Sequence, residues 1–231
     1  MILVGTIVNA LGVLGGGAVG LAIHRLLQKG IPQRYSDRIM QGIGLCTVYI
    51  AAGGLLSGSK TLVTILSMVV GAAIGEWLDL DGRIAALSRR LEAKFAREGD
   101  NSFAQGFMTA TLLFCVGTMA ILGSLDSGLR GDHATLFAKS VMDTISACIF
   151  ASTLGFGVLF SAVSILLYQG TITLLASVVG PYLTEAVVAE MNTVGSLLLL
   201  GLSLDLLGIQ RLKLMNYLPA MFLPILFCLF L

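Results

Sequence analysis

Long runs without charged residues alternate with short charged segments along the chain, and this pattern predicts membrane-spanning helices. Seven charge-free runs cover 1–23, 39–59, 61–75, 101–125, 144–184, 191–204 and 214–231. One crossing of a bilayer takes about 20 apolar residues, so the 41-residue run 144–184 is long enough for two crossings. Gly155-Phe156-Gly157 lies inside that run and predicts a break between two helices.

The pattern therefore predicts an all-α, polytopic transmembrane helix bundle of about eight spans, with seven as the alternative. We treat residues 1–231 as a single transmembrane domain. The predicted spans are 2–23, 39–58, 61–79, 105–126, 134–154, 157–179, 188–208 and 213–231.

Composition supports a membrane protein and argues against other classes. The 231 residues are 56% hydrophobic and 12% charged, with a mean hydropathy of +0.94, whereas a soluble domain carries about 25% charged residues. A net charge of +1 gives no basis for a nucleic-acid partner. The four cysteines lie in apolar runs without CxxC spacing, so we expect no disulfide framework, no metal site and no cofactor.

Basic residues alternate between the two sides of the predicted bundle. Eleven Lys and Arg residues fall in the loops between spans 1 and 2, 3 and 4, and 7 and 8, against Lys60 and Arg130 on the opposite side. Because cytoplasmic loops retain Lys and Arg, the eight-span topology predicts that both termini lie outside the cytoplasm. Residues 80–104 become a cytoplasmic amphipathic connector between spans 3 and 4.

Glycines at four-residue spacing predict close helix contacts. Gly12, Gly16 and Gly20 form one smooth helix face, and Gly71 and Gly75 form another. The spacing leaves open whether each contact lies within one chain or in a homo-oligomer.

Residues 40–56 match 191–207 at four positions, which are Met40, Gly44, Leu55 and Leu56 in the first copy. Spans 2 and 7 cross the membrane in opposite senses. The match is therefore compatible with an inverted-topology repeat, as in secondary transporters, or with coincidence in an apolar sequence.

Span 5 carries the strongest candidate for function. Lys139, Ser140 and Asp143 share one face of the predicted helix, with Lys139 about 8 Å and Asp143 about 14 Å deep in a ~30 Å core. Ionisable groups at this depth are costly unless they are paired or hydrated. Two interpretations follow: a polar pathway or ligand site, or a neutral pair that only joins helices. Asn9 in span 1 must also find polar partners on another helix.

Two further groups of residues are candidates. At the predicted break, Ser152, Thr153, Gly155 and Gly157 offer hydroxyls and freed backbone groups for a solute, or they simply form a turn. In the loop before span 5, the charged residues form either an outer vestibule or a solvated loop; they are Asp126, Arg130 and Asp132.

No phosphate-binding loop or HExxH motif is present in the sequence, and nothing pairs the carboxylates with a nucleophile. We therefore expect no enzymatic activity.

Several segments of the chain resemble an uncharacterised bacterial multi-pass family of the YqgA/YdfK type. The resemblance includes Gly5-Thr6-Ile7-Val8-Asn9-Ala10, Phe114-Cys115-Val116-Gly117-Thr118-Met119-Ala120-Ile121-Leu122-Gly123-Ser124, Gly131-Asp132, Lys139-Ser140, Asp143, Ala151-Ser152-Thr153-Leu154-Gly155 and Asn216-Tyr217-Leu218-Pro219. It extends over essentially the whole chain. The resemblance implies a location in the bacterial inner membrane and supplies no reaction or ligand.

The leading hypothesis is a transporter or channel for a small solute or ion in the bacterial cytoplasmic membrane. Asp143 would carry a proton or cation, and Lys139 would be its charge partner or an anion contact. The alternative is a non-transporting sensor, assembly factor or accessory subunit that binds a protein or lipid partner.

Overall fold

The computed structural model describes residues 2–27, 33–86, 103–116 and 118–230. Over these ranges the secondary structure is helical and contains no strand, which confirms the predicted all-α class. The helices, labelled in chain order, are α1 (Val4–Leu27), α2 (Gln33–Leu55), α3 (Thr61–Leu78), α4 (Phe103–Cys115), α5 (Thr118–Arg130), α6 (Ala134–Leu154), α7 (Gly157–Leu174), α8 (Ala176–Val179), α9 (Glu185–Leu206), a 3₁₀ segment (Leu214–Met221) and α10 (Leu223–Phe227).

Five of the described helices are long and apolar enough to cross a bilayer: α1, α3, α6, α7 and α9. The pair α4 and α5 is bent by 59° and adds a sixth crossing if it forms one broken span. The predicted spans 39–58 and 213–231 correspond to shorter apolar helices, Met40–Leu55 and Leu214–Phe227. A polytopic helix bundle is thus confirmed, while the number eight stays a prediction.

The break predicted at 155–157 is present. Helix α6 ends at Leu154, Gly155 has a φ of 72°, and α7 begins at Gly157. Glycine adopts this left-handed φ without the steric penalty that a Cβ imposes. Gly157 also packs directly against the backbone carbonyl of Phe103, where a Cβ would collide. The 144–184 run therefore contains the break between two long helices, α6 and α7, that its length predicted, and it also contains the four-residue α8.

The last apolar segment is irregular. Residues Leu214–Met221 form a 3₁₀ helix with Pro219 inside it, and α10 begins with Pro224 in its first turn. Proline lacks the backbone N–H that a regular helix needs. Pro219 and Pro224 therefore account for the interrupted helix in this segment.

The chain divides into two compact units. The first contains Met1–Ser36 and Ser88–Pro181, and the second contains Asp37–Leu87 and Tyr182–Leu231. In the first unit α1 packs along α6 and α7, while α4 and α5 also pack on α7. In the second unit α3 packs mainly against the 3₁₀ segment, which also contacts α9.

The first unit buries polar side chains and exposes apolar ones. Leu11, Val141 and Leu167 are 60%, 62% and 67% exposed, whereas Asn9 and Gln169 are fully buried. In water, apolar side chains would be buried and polar ones exposed. In lipid, apolar side chains are stable at the surface, whereas polar side chains need partners inside the protein. The distribution agrees with helices whose outer faces contact lipid.

The predicted glycine faces form close helix contacts within one chain. Gly12, Gly16 and Gly20 lie against successive turns of α6, and a Cβ on Gly16 would collide with the carbonyl of Thr144. In the second unit Gly71 and Gly75 approach Ala220 and Asn216 of the 3₁₀ segment in the same way. The missing side chains let the backbones come together. These glycine contacts lie within one chain, and a homo-oligomer stays a prediction.

The predicted connector over 80–104 is described only in part. Residues 80–86 are helical, and Phe103 begins α4. The remainder, 87–102, lies outside the described residues.

Candidate functional site

Four polar side chains meet between α1, α6 and α7 in the first unit. We call them the buried polar cluster: Asn9 from α1, Lys139 and Asp143 from α6, and Gln169 from α7. Asn9 and Gln169 are completely buried, and Lys139 and Asp143 are 6% exposed. The structure therefore brings together three residues that the sequence singled out and adds a fourth.

Lys139 and Asp143 form a bidentate ion pair. Lys139 Nζ donates to Asp143 Oδ1 at 2.9 Å and to Oδ2 at 2.7 Å. Residues four apart on a helix lie on the same face, so one helix supplies both charges. The pair is neutral overall, which offsets much of the cost of removing two charges from water.

The amide of Asn9 links this ion pair to α7. Asn9 Nδ2 donates to Asp143 Oδ2 at 3.0 Å and to Gln169 Oε1 at 3.3 Å. An ionised carboxylate only accepts hydrogen bonds, so the Asn9 nitrogen must face Asp143. The Gln169 oxygen must in turn face Asn9. One negative charge therefore sets the orientation of both amides.

This orientation leaves one acceptor and one donor unused. Asn9 Oδ1 and Gln169 Nε2 are buried and have no hydrogen-bond partner among the described residues. A buried polar atom without a partner costs about 1–3 kcal/mol, and most such atoms in proteins are paired. Reversing either amide would not help, because it would place like groups against each other. The cluster is thus chemically incomplete as it stands.

Hydroxyl groups flank the cluster without completing it. Ser140 Oγ donates to the carbonyl of Val8 at 3.1 Å, so it attaches α6 to the backbone of α1. Thr6 Oγ1 and Thr173 Oγ1 lie 3.5 Å apart between α1 and α7. The ligand role of Ser140 stays a prediction, since a hydroxyl that donates to a carbonyl can still accept a hydrogen bond.

The residues at the helix break lie away from the cluster. Ser152 Oγ donates to the carbonyl of Ile149 at 2.7 Å, and Thr153 Oγ1 donates to the carbonyl of Phe150 at 3.1 Å. Ser152 follows Asp143 by nine residues, about 14 Å along the helix axis. Ser152, Thr153, Gly155 and Gly157 therefore belong to the end of α6 and the start of α7.

The predicted vestibule residues lie where α5 joins α6. Arg130 Nη1 and Asp126 Oδ1 are 3.4 Å apart, with the Arg130 side chain 77% exposed. Asp132 Oδ1 accepts a hydrogen bond from the backbone N–H of Ala134 at 3.0 Å. These contacts describe a charged turn at the start of α6, separate from the buried polar cluster.

Gln169 is the cluster member that sequence reasoning missed. A search for charged residues in apolar runs passes over an uncharged amide. The available signal was an amide in the middle of α7, since such a group must also find a partner in hydrocarbon.

Glu190, in the second unit, was also missed. It is 2% exposed, its Oε1 accepts from the backbone N–H groups of Ser59 at 2.7 Å and Lys60 at 2.6 Å, and its Oε2 accepts from the hydroxyl of Thr64 at 3.1 Å. This carboxylate caps the N-terminus of α3, where the helix dipole favours a negative charge. Its contacts therefore have a structural explanation.

Comparison with known proteins places the chain in a family. A family model described as "Protein of unknown function (DUF554)" matches residues 4–229. The chain belongs to the DUF554 family. The chain is 32% identical to "Uncharacterized membrane protein YdfK" of Bacillus subtilis over 95% of its own length and 93% of that protein. It is 30% identical to "Uncharacterized protein YqgA" of Escherichia coli, covering 95% and 94% of the two chains.

No solved structure matches this DUF554 protein. The resemblance to the YqgA/YdfK type is confirmed, and it extends over nearly the whole chain. YdfK is named a membrane protein, in agreement with the apolar helices found here.

The chemistry that the buried polar cluster offers is hydrogen bonding and charge pairing. Among the described residues, no group of three or more His, Cys, Asp or Glu side chains could hold a metal ion. The cluster does present opposite charges, an unused acceptor and an unused donor on three different helices. Such a set can hold a small polar molecule.

Proposed function

We propose that this DUF554 protein transports a small solute or ion across the bacterial cytoplasmic membrane, with the buried polar cluster as its binding site. One observation carries the proposal: the cluster contains a charged pair together with an acceptor and a donor that no described residue satisfies. Ionisable groups inside membrane helices typically line substrate or ion pathways. We infer no catalytic role, since the cluster offers no nucleophile with a base.

The energetic argument favours a binding site over a purely structural contact. A pair that only joined helices would gain most from complete hydrogen bonding. Each unsatisfied buried atom instead costs about 1–3 kcal/mol. A ligand that bonded to Asn9 Oδ1 and Gln169 Nε2 would recover that cost. Proteins tolerate unsatisfied buried atoms of this kind mainly at functional sites.

The test is uptake by the purified protein in proteoliposomes, measured with a broad panel of labelled ions and small solutes. We expect uptake of at least one solute, and a loss of about tenfold or more in the initial rate for Asp143→Asn. Glu185→Gln is the matched control, because Glu185 is an exposed carboxylate in the first turn of α9, in the second unit, and belongs to no proposed site. Unchanged uptake in Asp143→Asn would refute the assignment of the site.

A second function is favoured by the completeness of the ion pair itself. Lys139 already bonds to both oxygens of Asp143, so these two charges need no ligand. This fits a non-transporting membrane protein that binds a protein or lipid partner. Proteoliposomes that transport no solute in the panel, with correctly folded protein, would favour this function.

The orientation of the chain in the membrane and the inverted repeat are parts of the same proposal. Both termini would lie outside the cytoplasm, and a reporter fused to the C-terminus would be inactive if it requires the cytoplasm. The inverted repeat would relate α2 to α9, with Gly44 corresponding to Gly195. A cytoplasmic C-terminus would contradict the eight-span topology.

A further inference from the structure

The chemical groups of the buried polar cluster define what would complete it. Asp143 supplies a negative charge, and Asn9 Oδ1, on the amide bonded to Asp143, supplies an unused acceptor. Lys139 supplies a positive charge, and Gln169 Nε2 supplies an unused donor. The complement of these four groups is one cationic donor and one anionic acceptor.

We propose that the cluster binds a small zwitterion, a molecule with an ammonium and a carboxylate group, and this inference rests on the proposed function of the same site. The ligand ammonium donates to Asp143 and to Asn9 Oδ1. The ligand carboxylate accepts from Lys139 and from Gln169 Nε2. Both unused amide atoms then gain a partner.

Charge balance favours a zwitterion over a simple ion. The Lys139–Asp143 pair is neutral, and the side chains are only 8% and 9% exposed. A cation or an anion bound alone would leave one uncompensated charge in a region of low dielectric, which costs several kcal/mol. A zwitterion exchanges the internal ion pair for two new pairs, and the buried net charge stays zero.

A neutral amide or alcohol would satisfy only half of the site. It could bond to Asn9 Oδ1 and Gln169 Nε2 but would gain nothing from the charges. The zwitterion uses all four groups, and charge-assisted hydrogen bonds are roughly twice as strong as neutral ones.

Neighbouring groups add no net charge to the buried polar cluster. Cys115 is buried in the same unit, and a thiol is uncharged at neutral pH. Asp126 and Arg130 compensate each other at the exposed turn before α6.

Helix packing limits the size of the ligand. Asn9 lies three residues before Gly12, which already contacts Ser140 and Thr144 of α6, and Gly16 touches the α6 backbone. Helices this close could accommodate only a compact molecule. We therefore expect glycine and alanine to bind and larger amino acids to be excluded.

Binding to the purified full-length chain in detergent tests this proposal. The probe is radiolabelled glycine, with unlabelled alanine, methylamine, acetate and acetamide as competitors. We expect saturable glycine binding, displaced by alanine and at least about tenfold less effectively by the three compounds that lack one or both charges. Equal displacement by methylamine or acetate would overturn the proposal, as would the absence of glycine and alanine binding to folded protein.

Variants locate the binding in the cluster. Asp143→Asn and Lys139→Gln should each weaken glycine binding about 100-fold, and Gln169→Leu about tenfold. Glu190→Gln is the matched control, because it alters a buried carboxylate of the second unit and should leave binding unchanged.

A double variant guards against loss of folding. Lys139→Met with Asp143→Leu removes both charges together, and apolar replacement of a buried ion pair is often tolerated. This variant should elute as the wild-type protein does on gel filtration and bind no glycine. Retained glycine binding would contradict the proposal.

Uptake separates this inference from the proposed function. Glycine binding without uptake of any solute would support the zwitterion site and refute transport. Uptake of another solute that depends on Asp143, without glycine or alanine binding, would support transport and refute the zwitterion site.

Discussion

Two buried carboxylates, one in each unit, have very different partners. Glu190 accepts hydrogen bonds from the backbone N–H groups of Ser59 and Lys60 and from the hydroxyl of Thr64. Among the described residues, Asp143 accepts only from the side chains of Lys139 and Asn9. Backbone donors at a helix N-terminus stay in place as long as the fold does, whereas side chains can exchange partners by rotation.

The comparison shows that burial of a charge does not by itself indicate function. Both carboxylates are nearly inaccessible, at 2% and 6% exposure. Glu190 satisfies the backbone N–H groups at the start of α3. The hydrogen bonds around Asp143 instead leave Asn9 Oδ1 and Gln169 Nε2 unsatisfied. The kind of partner and the unused capacity distinguish a structural carboxylate from a candidate binding site.

The largest expected effect comes from breaking the ion pair on one side. Lys139→Met should destabilise the protein by about 3–5 kcal/mol, because it leaves the Asp143 carboxylate buried without its cation. Adding Asp143→Leu should restore most of that loss. The measurement is denaturant unfolding in detergent; a double variant as unstable as the single one would contradict this account.

The Glu190 cap should be nearly as important for stability and irrelevant for function. Glu190→Ala removes a charged acceptor from three donors and should cost about 2–4 kcal/mol. Glu185→Ala, at an exposed acidic position in the first turn of the same helix, should cost less than about 1 kcal/mol. Uptake and glycine binding at a permissive temperature should equal those of the wild type. A specific loss of binding in Glu190→Ala would remove the contrast between the two carboxylates.

The α1–α6 contact that positions the cluster depends on particular glycines. Gly16→Ala should destabilise the protein by about 1–3 kcal/mol, because the new Cβ would overlap the Thr144 carbonyl. Gly15→Ala has nothing within 4 Å of its Cβ and should be neutral or stabilising by up to about 1 kcal/mol. The measurement is the thermal unfolding of the two variants, compared with that of the wild type. Equal effects would mean that α1 and α6 are farther apart than described.

Gln169→Leu should have the smallest effect on stability and still reduce uptake clearly. Gln169→Leu removes an unsatisfied donor but also removes Oε1, the acceptor of one Asn9 hydrogen bond. These two changes offset each other while Asn9 Nδ2 keeps Asp143 as a partner, so stability should change by less than about 1 kcal/mol. Uptake of the transported solute should still fall about tenfold. A variant with wild-type uptake would show that Gln169 serves packing alone.

The helical pattern and its local features were predictable from the sequence. The 41-residue run with glycines at 155 and 157 predicted the break between α6 and α7, because helix length and glycine conformation are local properties. The spacing of Lys139 and Asp143 predicted that they share one helix face, which permits the ion pair that the structure contains. Asn9 was expected to face another helix, and the structure confirms this.

The candidate site was only partly predictable. Ser152 and Thr153 share α6 with Asp143, yet they bond to carbonyls of their own helix. Gln169 lies 160 residues from Asn9, and no local pattern connects the two.

By itself, the sequence determined a membrane-embedded helix bundle, the ends of several helices and the placement of Lys139 and Asp143 on one helix face. These features follow from hydropathy, from glycine and proline conformation, and from the helical repeat, which all act over a few residues. Only the tertiary structure decided that Asn9 and Gln169 complete the surroundings of Asp143 and that Glu190 caps α3. Those contacts depend on which helix faces pack together, and packing is decided by the whole set of helices at once.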